Sequence, residues 1–420
     1  MNQYYIAHDK IDLKCYPNYS FEIGDVDGDG RMEFVSLDQS GNLLRVVNLE
    51  NDLLFEKKFS NNGNWGTPLL CTADINGDGR NEIIVPDGNK LIALDCKGGV
   101  VLERTFTEAL KDDYGICIPL LGTVRLTTDN GPSFIAAVAG GEVYLLDDKF
   151  NTIKKLNGLR HDFGHELHFA DIDKDGFDEI AFCTVDHINE EFSNKNNGEL
   201  VLLDHDGKII LRKRVDDFLV DTHFDDIAMA DFNGSGTTQI LAEKGFLMDL
   251  KGNVIWDLSA EMEHGQWIAH APNPDGKGRL GFISELWGDN MKNLFFTGQG
   301  KKIRDIKGYP WPKPTEPGMT IRPSRCHAVN FGSGNEIFVT QQIHMKNEFN
   351  CAKTRPIELI GLFMDLYGNL IGELPFENAQ IAGYYYNGET HSKAADVDGD
   401  GRQEIVFVKQ DGHVMIIKKR

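Results

Sequence analysis

The chain has 420 residues and a formal net charge of −22, from 43 Lys and Arg against 65 Asp and Glu. That excess sets aside nucleic acid and anionic membrane surfaces as partners, and no run approaches the roughly 18 apolar residues of a membrane span. Hydrophobic residues, 41% of the chain, suffice for a packed interior, but 420 residues exceed one ordinary core, so the sequence holds either several domains or an internal repeat.

The opening stretch, MNQYYIAHDKIDLKCYPNYS, lacks the basic segment followed by an apolar segment that marks a secretion leader. Seven cysteines, at 15, 71, 96, 117, 183, 326 and 351, are odd in number and form no CxxC pair, which suits reduced thiols and a cytoplasmic setting, or a secreted one if a leader has been removed. Within the opening stretch, NQYYIAH reads as a strand.

From residue 25 onward one phrase recurs: DVDGDGRMEFV at 25, DINGDGRNEIIV at 74, DIDKDGFDEIAF at 171 and DVDGDGRQEIVFV at 396. Weaker copies stand at 231 (DFNGSGTTQIL) and 273 (NPDGKGRLGFI), with remnants near 128 and 330. Their spacing of about 42 to 66 residues falls in or just above the range of propellers and solenoids. Each copy has a short strand before the loop, a β-branched strand after it, then a second turn and further strands. The expectation is an all-β chain with little helix, except around residues 107 to 112. It is a β-propeller of four-stranded antiparallel blades, eight in number, or seven if the remnant near 128 is not a blade. The final copy has only EIVFV and HVMIIKK after its inner strand, so the N-terminal strand is expected to complete that blade and close the ring. Residues 1–420 then form a single propeller domain.

In the four strong copies, oxygens at positions one, three, five and nine match a calcium loop, with a glycine at six for the bend. The sets are Asp25, Asp27, Asp29, Glu33; Asp74, Asn76, Asp78, Glu82; Asp171, Asp173, Asp175, Glu179; and Asp396, Asp398, Asp400, Glu404. These carry the expectation of several structural Ca²⁺ ions, a catalytic ion being left open. The competing reading is that Asp and Gly only satisfy turn amides. It is preferred at 231 and 273, where Ser235 and Lys277 replace the middle acid.

Calcium loops need no imidazole, yet His165, His168, His223, His264, His270, His327 and His391 precede the loops, on what should be innermost strands. His165, His223, His264 and His327 are the leading candidates to converge on a central channel. His187 follows the second strand of its blade. The phrases HFDD at 223, EHGQW at 263, which contains Trp267, and RPSRCH at 322 add donors, acids and an aromatic surface. Residues 298 to 325 carry seven Lys and Arg against Asp305 and Glu316, with prolines, Tyr309 and Trp311. They read as a long, rigid cationic loop, a wall for an anionic sugar in which Trp311 stacks on pyranose faces and Arg322 and Arg325 grip a carboxylate.

The DxDxDGxxE loops, together with GHELHFADIDKDGFDEI and EHGQWIAHAPNPDGKGRLGFISELWG, resemble the calcium-bearing β-propeller polysaccharide lyases, which include rhamnogalacturonan and ulvan lyases. The resemblance covers most of the chain as architecture. It implies β-elimination beside a uronate, on an anionic oligosaccharide or polysaccharide, with imported oligosaccharides the expected substrate; the chain itself is expected to be a monomer. The base would be His187 or His165, the carboxylate partner Arg325 or Arg322, and the acid Tyr385. His223 and His264 would line the same cleft, with Trp267, Trp311 and His327 holding substrate. The alternative is a non-catalytic calcium-binding carbohydrate-binding or adhesion propeller, since such proteins carry the same loops.

Overall fold

The structure, a computed structural model, describes residues 3–14, 17–38, 43–59, 70–106, 120–124, 134–139, 142–156, 163–184, 199–214, 226–262, 264–287, 292–307, 319–345, 358–376, 392–409 and 412–420. In chain order the strands are β1 (Tyr4–Asp12); β2 to β5 (Pro17–Gly24, Glu33–Asp38, Leu43–Val47, Leu53–Lys58); and β6 to β9 (Cys71–Ala73, Glu82–Asp87, Lys90–Leu94, Val100–Thr105). Then come β10 to β13 (Leu120–Val124, Phe134–Ala139, Glu142–Leu146, Thr152–Leu156) and β14 to β17 (Phe163–Ala170, Glu179–Thr184, Glu199–Leu203, Ile209–Arg214). They continue as β18 to β21 (Ile227–Ala230, Gln239–Ala242, Phe246–Met248, Val254–Asp257) and β22 to β25 (His264–Pro272, Arg279–Trp287, Lys292–Thr297, Lys302–Lys307). The last are β26 to β29 (Met319–Asn330, Asn335–Met345, Glu358–Met364, Leu370–Phe376) and β30 to β32 (Ser392–Ala395, Glu404–Val408, His413–Lys419). Among the described residues there is no α-helix, only a 3₁₀ turn at Ser259–Glu261. The segment 107 to 112 lies outside them.

The fold is a β-propeller of four-stranded antiparallel blades. Among the described residues the strands pair as eight four-stranded sheets, seven of them consecutive in sequence and one, β1-β32-β31-β30, drawn from both ends of the chain. β1 runs antiparallel to β32, with Tyr4 opposite Lys419 and Asp12 opposite His413. The remnant near residue 128 falls between β10 and β11, which pair with β12 and β13 as a full sheet. The chain separates into two compact units, each with four sheets. One comprises Met1–Lys14, Asp226–Asp396 and Asp400–Arg420; the other comprises Cys15–Asp225 and Val397–Gly399.

Strand position within a sheet explains the residue pattern. Second and third strands, such as β3 (EFVSLD) and β4 (LLRVV), are buried almost throughout, because a neighbouring sheet covers each face. Fourth strands, such as β9 (VVLERT) and β17 (IILRKR), are mostly exposed with partial alternation. First strands of successive sheets lie side by side, β2 against β6, β6 against β10 and β10 against β14 in one unit, β22 against β26 and β26 against β30 in the other, which makes them the inner strands. The core sits between sheets: Val35, Leu44 and Val46 meet Ile83, Val85 and Leu94, and Phe338 and Phe363 meet Tyr4, Phe407 and Ile417. Each such side chain contributes roughly 1.5–3 kcal/mol on burial.

A second repeated device fixes the turn between third and fourth strands. Asp95 Oδ1 accepts the amides of Lys97 and Gly99, both at 2.8 Å. Asp147 does the same for Lys149 and Asn151, Asp249 for Lys251 and Asn253, and Asp365 for Tyr367 and Asn369.

The basic stretch departs from the long loop expected of it. Lys302–Lys307 is β25, paired with β24 across a turn in which the Gly300 amide donates to the Thr297 carbonyl and the Thr297 amide to the Lys301 carbonyl, and residues from Met319 onward are β26. The alternating pattern of KIRDIK lets its apolar members Ile303 and Ile306 pack on the core. Tyr309, Trp311 and the prolines at 310, 312, 314 and 317 lie outside the described residues.

Candidate metal centres and their surroundings

Every strong loop joins the first and second strands of its sheet and is shaped by its own carboxylates. In the first, Asp25 accepts the amides of Gly28 at 2.8 Å and Gly30 at 3.0 Å, while buried Glu33 accepts Val26 N through Oε2 at 2.8 Å. Gly30, at position six, has φ +88°, the left-handed bend expected there. Oxygens of Asp25, Asp27 and Asp29 lie within 4.8 Å of one another. Burial pushes the Glu33 carboxyl up to about 7, against the pull of the Val26 amide and with help from the Asp27 and Asp29 charges.

The loops are not without counter-charge. Arg31 binds Asp29 through Nε at 3.1 Å and a terminal nitrogen at 2.7 Å, which holds the Asp29 carboxyl below its usual range, and it also meets Glu50. In the last loop, where Asp396, Asp398 and Glu404 are grouped, Lys418 Nζ stands 3.3 Å from Glu404 and 4.0 Å from Asp400. In the second loop Asn76 presents its nitrogen and donates to Glu82 Oε1 at 2.8 Å, while Asp74 shapes the bend through Gly77 and Gly79. Burial raises the Glu82 carboxyl as well.

The weak copy at 231 keeps the bend with no acid at position nine. Gln239 Oε1 accepts Phe232 N at 2.8 Å as a glutamate would, and its Nε2 donates to Ser235 Oγ at 3.2 Å and to Thr237 O. An amide nitrogen thus takes the role that a cation takes among oxygens. In the copy at 273, Lys277 holds position five, Gly281 position nine, and Asp275 accepts the Tyr367 hydroxyl.

The third loop differs from its relatives. Asp171, Asp173 and Glu179 form one group; Asp175, Glu179 and His205 form a second. Burial pushes Glu179 up to about 7, with the Ile172 amide opposing and Asp173, Asp175 and Asp171 adding to it. Lys174 has φ +68° where the other strong loops have Gly28, Gly77 and Gly399. His205, in the turn between β16 and β17, is a residue that the reading of the loop phrases missed. Its signal was present in the internal repeat, since the equivalent turn position is Leu49, Cys96, Leu250 or Leu366 in four other sheets, with Asp148 in a fifth.

The described candidates for a saccharide cleft turn out to be packed. Trp267 was expected on a binding surface but is 4% exposed, in a core cluster with Phe282, Phe295 and Val339. It points into the sheet interface because the alternation of β22 puts Trp267, Ala269 and Ala271 on one buried face. His327, on β26, is half-buried, with Nε2 2.8 Å from the oxygen of buried Ser392. His270 accepts from Arg279 Nε at 2.6 Å and meets Phe232 edge-on at 5.0 Å. His165 lies on β14, His264 on β22, and Arg322 and Arg325 on β26, with their side chains outside the described set. His187, His223, Trp311 and Tyr385 lie outside the described residues altogether. Of the basic stretch, Lys302 is paired with Glu261 at 2.7 Å, and Arg304 caps the Gly368 carbonyl at 2.8 Å.

An FG-GAP-like repeat model matches residues 25–85, the span from the first loop through the second. No curated protein matches the chain by sequence. Among solved structures, BBS1N in complex with ARL6DN, soaked with lead, is similar over 100% of this chain and 98% of that one, at 8% identity and a TM-score of 0.55. The mercury-soaked form of the same complex gives 10% identity, the same coverage and a TM-score of 0.53. The V. cholerae biofilm matrix protein Bap1 aligns with 95% of this chain and 76% of its own, at 12% identity and a TM-score of 0.44. For the two forms of the BBS1N complex, at 8% and 10% identity, the likeness is one of fold.

Proposed function

We propose that this chain is a non-catalytic, calcium-braced propeller that binds an anionic saccharide. One observation carries the reading: the acids converge in loops between first and second strands, whereas the described inner-strand candidates, Trp267 and His327, are spent on packing and on Ser392. The first and last loops, with Asp25, Asp27, Asp29 and Glu33 and with Asp396, Asp398, Asp400 and Glu404, supply the oxygens that Ca²⁺ takes at 2.3–2.6 Å. An ion there would neutralise carboxylates that burial now pushes toward protonation. With Lys302 and Arg304 of β25 already taken up by Glu261 and the Gly368 carbonyl, the contact for an anionic sugar is the inner strand β26, which carries Arg322 and Arg325 in a chain at −22.

One observation favours elimination chemistry as a second reading: β22 and β26, which carry His264, Arg322 and Arg325, are adjacent inner strands within one unit. On that reading a histidine takes the C5 proton, an arginine steadies the charge on the uronate carboxylate, and the C4–O bond breaks as the C4–C5 double bond forms, the leaving oxygen taking a proton from an acid or from water. The deciding experiment incubates the protein with uronate-bearing oligosaccharides in Ca²⁺ and follows both binding and the absorbance of a new conjugated double bond. Saturable, calcium-dependent binding without absorbance change supports the binding module; turnover lost in Arg325→Lys moves the assignment to a lyase; neither binding nor turnover removes the saccharide from both.

A further inference from the structure

We infer that the third loop and the turn after β16 form a mixed nitrogen and oxygen site for a first-row transition ion of the zinc class, held by His205, Asp175 and Glu179. The inference shares with the calcium reading the premise that these loops hold cations, but it assigns this loop a different metal.

The internal repeat makes the first part of the case. The residue after the turn aspartate or asparagine is Leu49, Cys96, Leu250 and Leu366 in four other sheets and Asp148 in a fifth, and Cys96 and Leu366 pack against core clusters. An imidazole here therefore replaces an apolar plug, directly above an acidic loop. The Phe177 ring, stacked at 4.4 Å and 25°, holds its plane. Phe177 itself stands where the other three strong loops carry Arg31, Arg80 and Arg402, so the position that supplies a cation to the first loop supplies a flat apolar support to the third.

Geometry makes the second part. His205 Nδ1 lies 3.4 Å from Asp175 Oδ2 and 4.0 Å from Glu179 Oε1. Two ligands, each 2.0–2.2 Å from a tetrahedral ion, are roughly 3.4 Å apart, so a small contraction brings all three atoms to bonding distance. Nδ1 is buried and has no hydrogen-bond partner, although it faces two carboxylates. Glu179 commits Oε2 to the Ile172 amide at 2.8 Å, which leaves Oε1 as the atom turned to the imidazole. Asp206 Oδ2 stands 4.0 Å from Nε2, where an outer carboxylate orients a ligating histidine.

Chemistry chooses the ion. Ca²⁺ takes six to eight oxygens and gains nothing from imidazole, whereas imidazole with carboxylates suits zinc and its neighbours. Asp171 and Asp173 remain on the other side of Glu179 as an all-oxygen group.

The test strips the full chain of metal, then titrates Co²⁺ by its visible absorption and Zn²⁺ by competition, in wild type and in His205→Asn and Asp175→Asn. Ca²⁺ binding is measured in parallel with Asp27→Asn as the control for the first loop. We expect one Co²⁺ site whose affinity falls at least about tenfold in His205→Asn, with Ca²⁺ binding unchanged. Metal-free melting curves that coincide for wild type and His205→Asn keep a folding defect from imitating the result. Equal Co²⁺ and Zn²⁺ affinity in His205→Asn overturns the proposal, as does a histidine NMR signal showing His205 as a protonated partner of Asp175 that excess Zn²⁺ leaves unmoved. Loss of Ca²⁺ binding in wild type sinks the calcium reading instead and leaves this one standing.

Discussion

Tyr4 donates its hydroxyl to Glu336 Oε2 at 2.7 Å, across 332 positions of sequence, while its ring stacks on Phe363 at 3.6 Å and 3°. Burial, and then the bond to Glu336, push the phenol well above its ordinary range, so it is a donor at every physiological pH. Tyr4→Phe keeps the stack and removes the donor to a buried carboxylate. It should cost about 1–3 kcal/mol in denaturant unfolding, and Tyr4→Ala should cost more because a cavity adds to the loss.

Glu33 and Glu179 make stability depend on pH in the metal-free protein. Their carboxyls ordinarily titrate near 4.5 and are raised to about 7 in the fold. The folded state therefore holds the proton more tightly than the unfolded one. Stability is full below about 4.5 and declines as pH rises to about 7. Melting in chelator should show this fall. Saturating calcium, which favours the ionised form, should flatten it at the first loop.

Calcium at about a hundred times its dissociation constant should add roughly 2.7 kcal/mol for each independent site. Asp25→Asn should remove the share of the first loop. The weak copy at 231 should contribute nothing, because Gln239 already supplies the donor its oxygens need. Calorimetric titration of wild type and Asp25→Asn, compared with Asp231→Asn, separates the two kinds of loop.

Gly298→Ala tests the close approach of neighbouring sheets. A Cβ there would stand 1.7 Å from the Phe232 carbonyl oxygen, a backbone atom that the hydrogen bond from Arg279 N at 2.8 Å holds in place. The expected cost is about 3 kcal/mol or more, read from chemical denaturation.

His327→Ala should lower stability by about 1 kcal/mol through the loss of its bond to Ser392, and leave saccharide binding unchanged. A binding defect with an unchanged melting temperature would return His327 to the cleft.

What was legible in the sequence followed from period and repetition. The phrases at 25, 74, 171 and 396 placed loops between first and second strands, and the missing strand of the last blade pointed to NQYYIAH, whose residues from Tyr4 on begin β1, a strand that runs further, to Asp12. Contacts that join distant turns were not legible. His205 is 26 residues from Glu179 and looks like any turn residue until third strands are laid over one another. Trp267 was misread because an aromatic ring beside His264 and Gln266 looks polar in sequence, whereas strand alternation turns it inward. Lys302 and Arg304 were counted as free charge because their partners, Glu261 and the Gly368 carbonyl, lie 41 and 64 residues away.

The sheet shared by β1 and β32 sets a timetable for biosynthesis. About 400 residues separate the two strands, so at 5–20 residues per second a ribosome delivers β32 roughly 20–80 s after β1 has emerged. Throughout that interval β1 is an unclaimed edge, and the β32 of a neighbouring nascent chain is chemically identical to its proper partner. Lys418 and Lys419, at the end of β32, place charge on its open edge while β1 is away, which disfavours such an exchange; in the finished fold they meet Glu404 on β31 and Glu336 on β27. Neutralising both lysines should therefore show its effect first during synthesis from crowded polysomes, as strand-swapped dimers, before it shows in the melting of the finished chain.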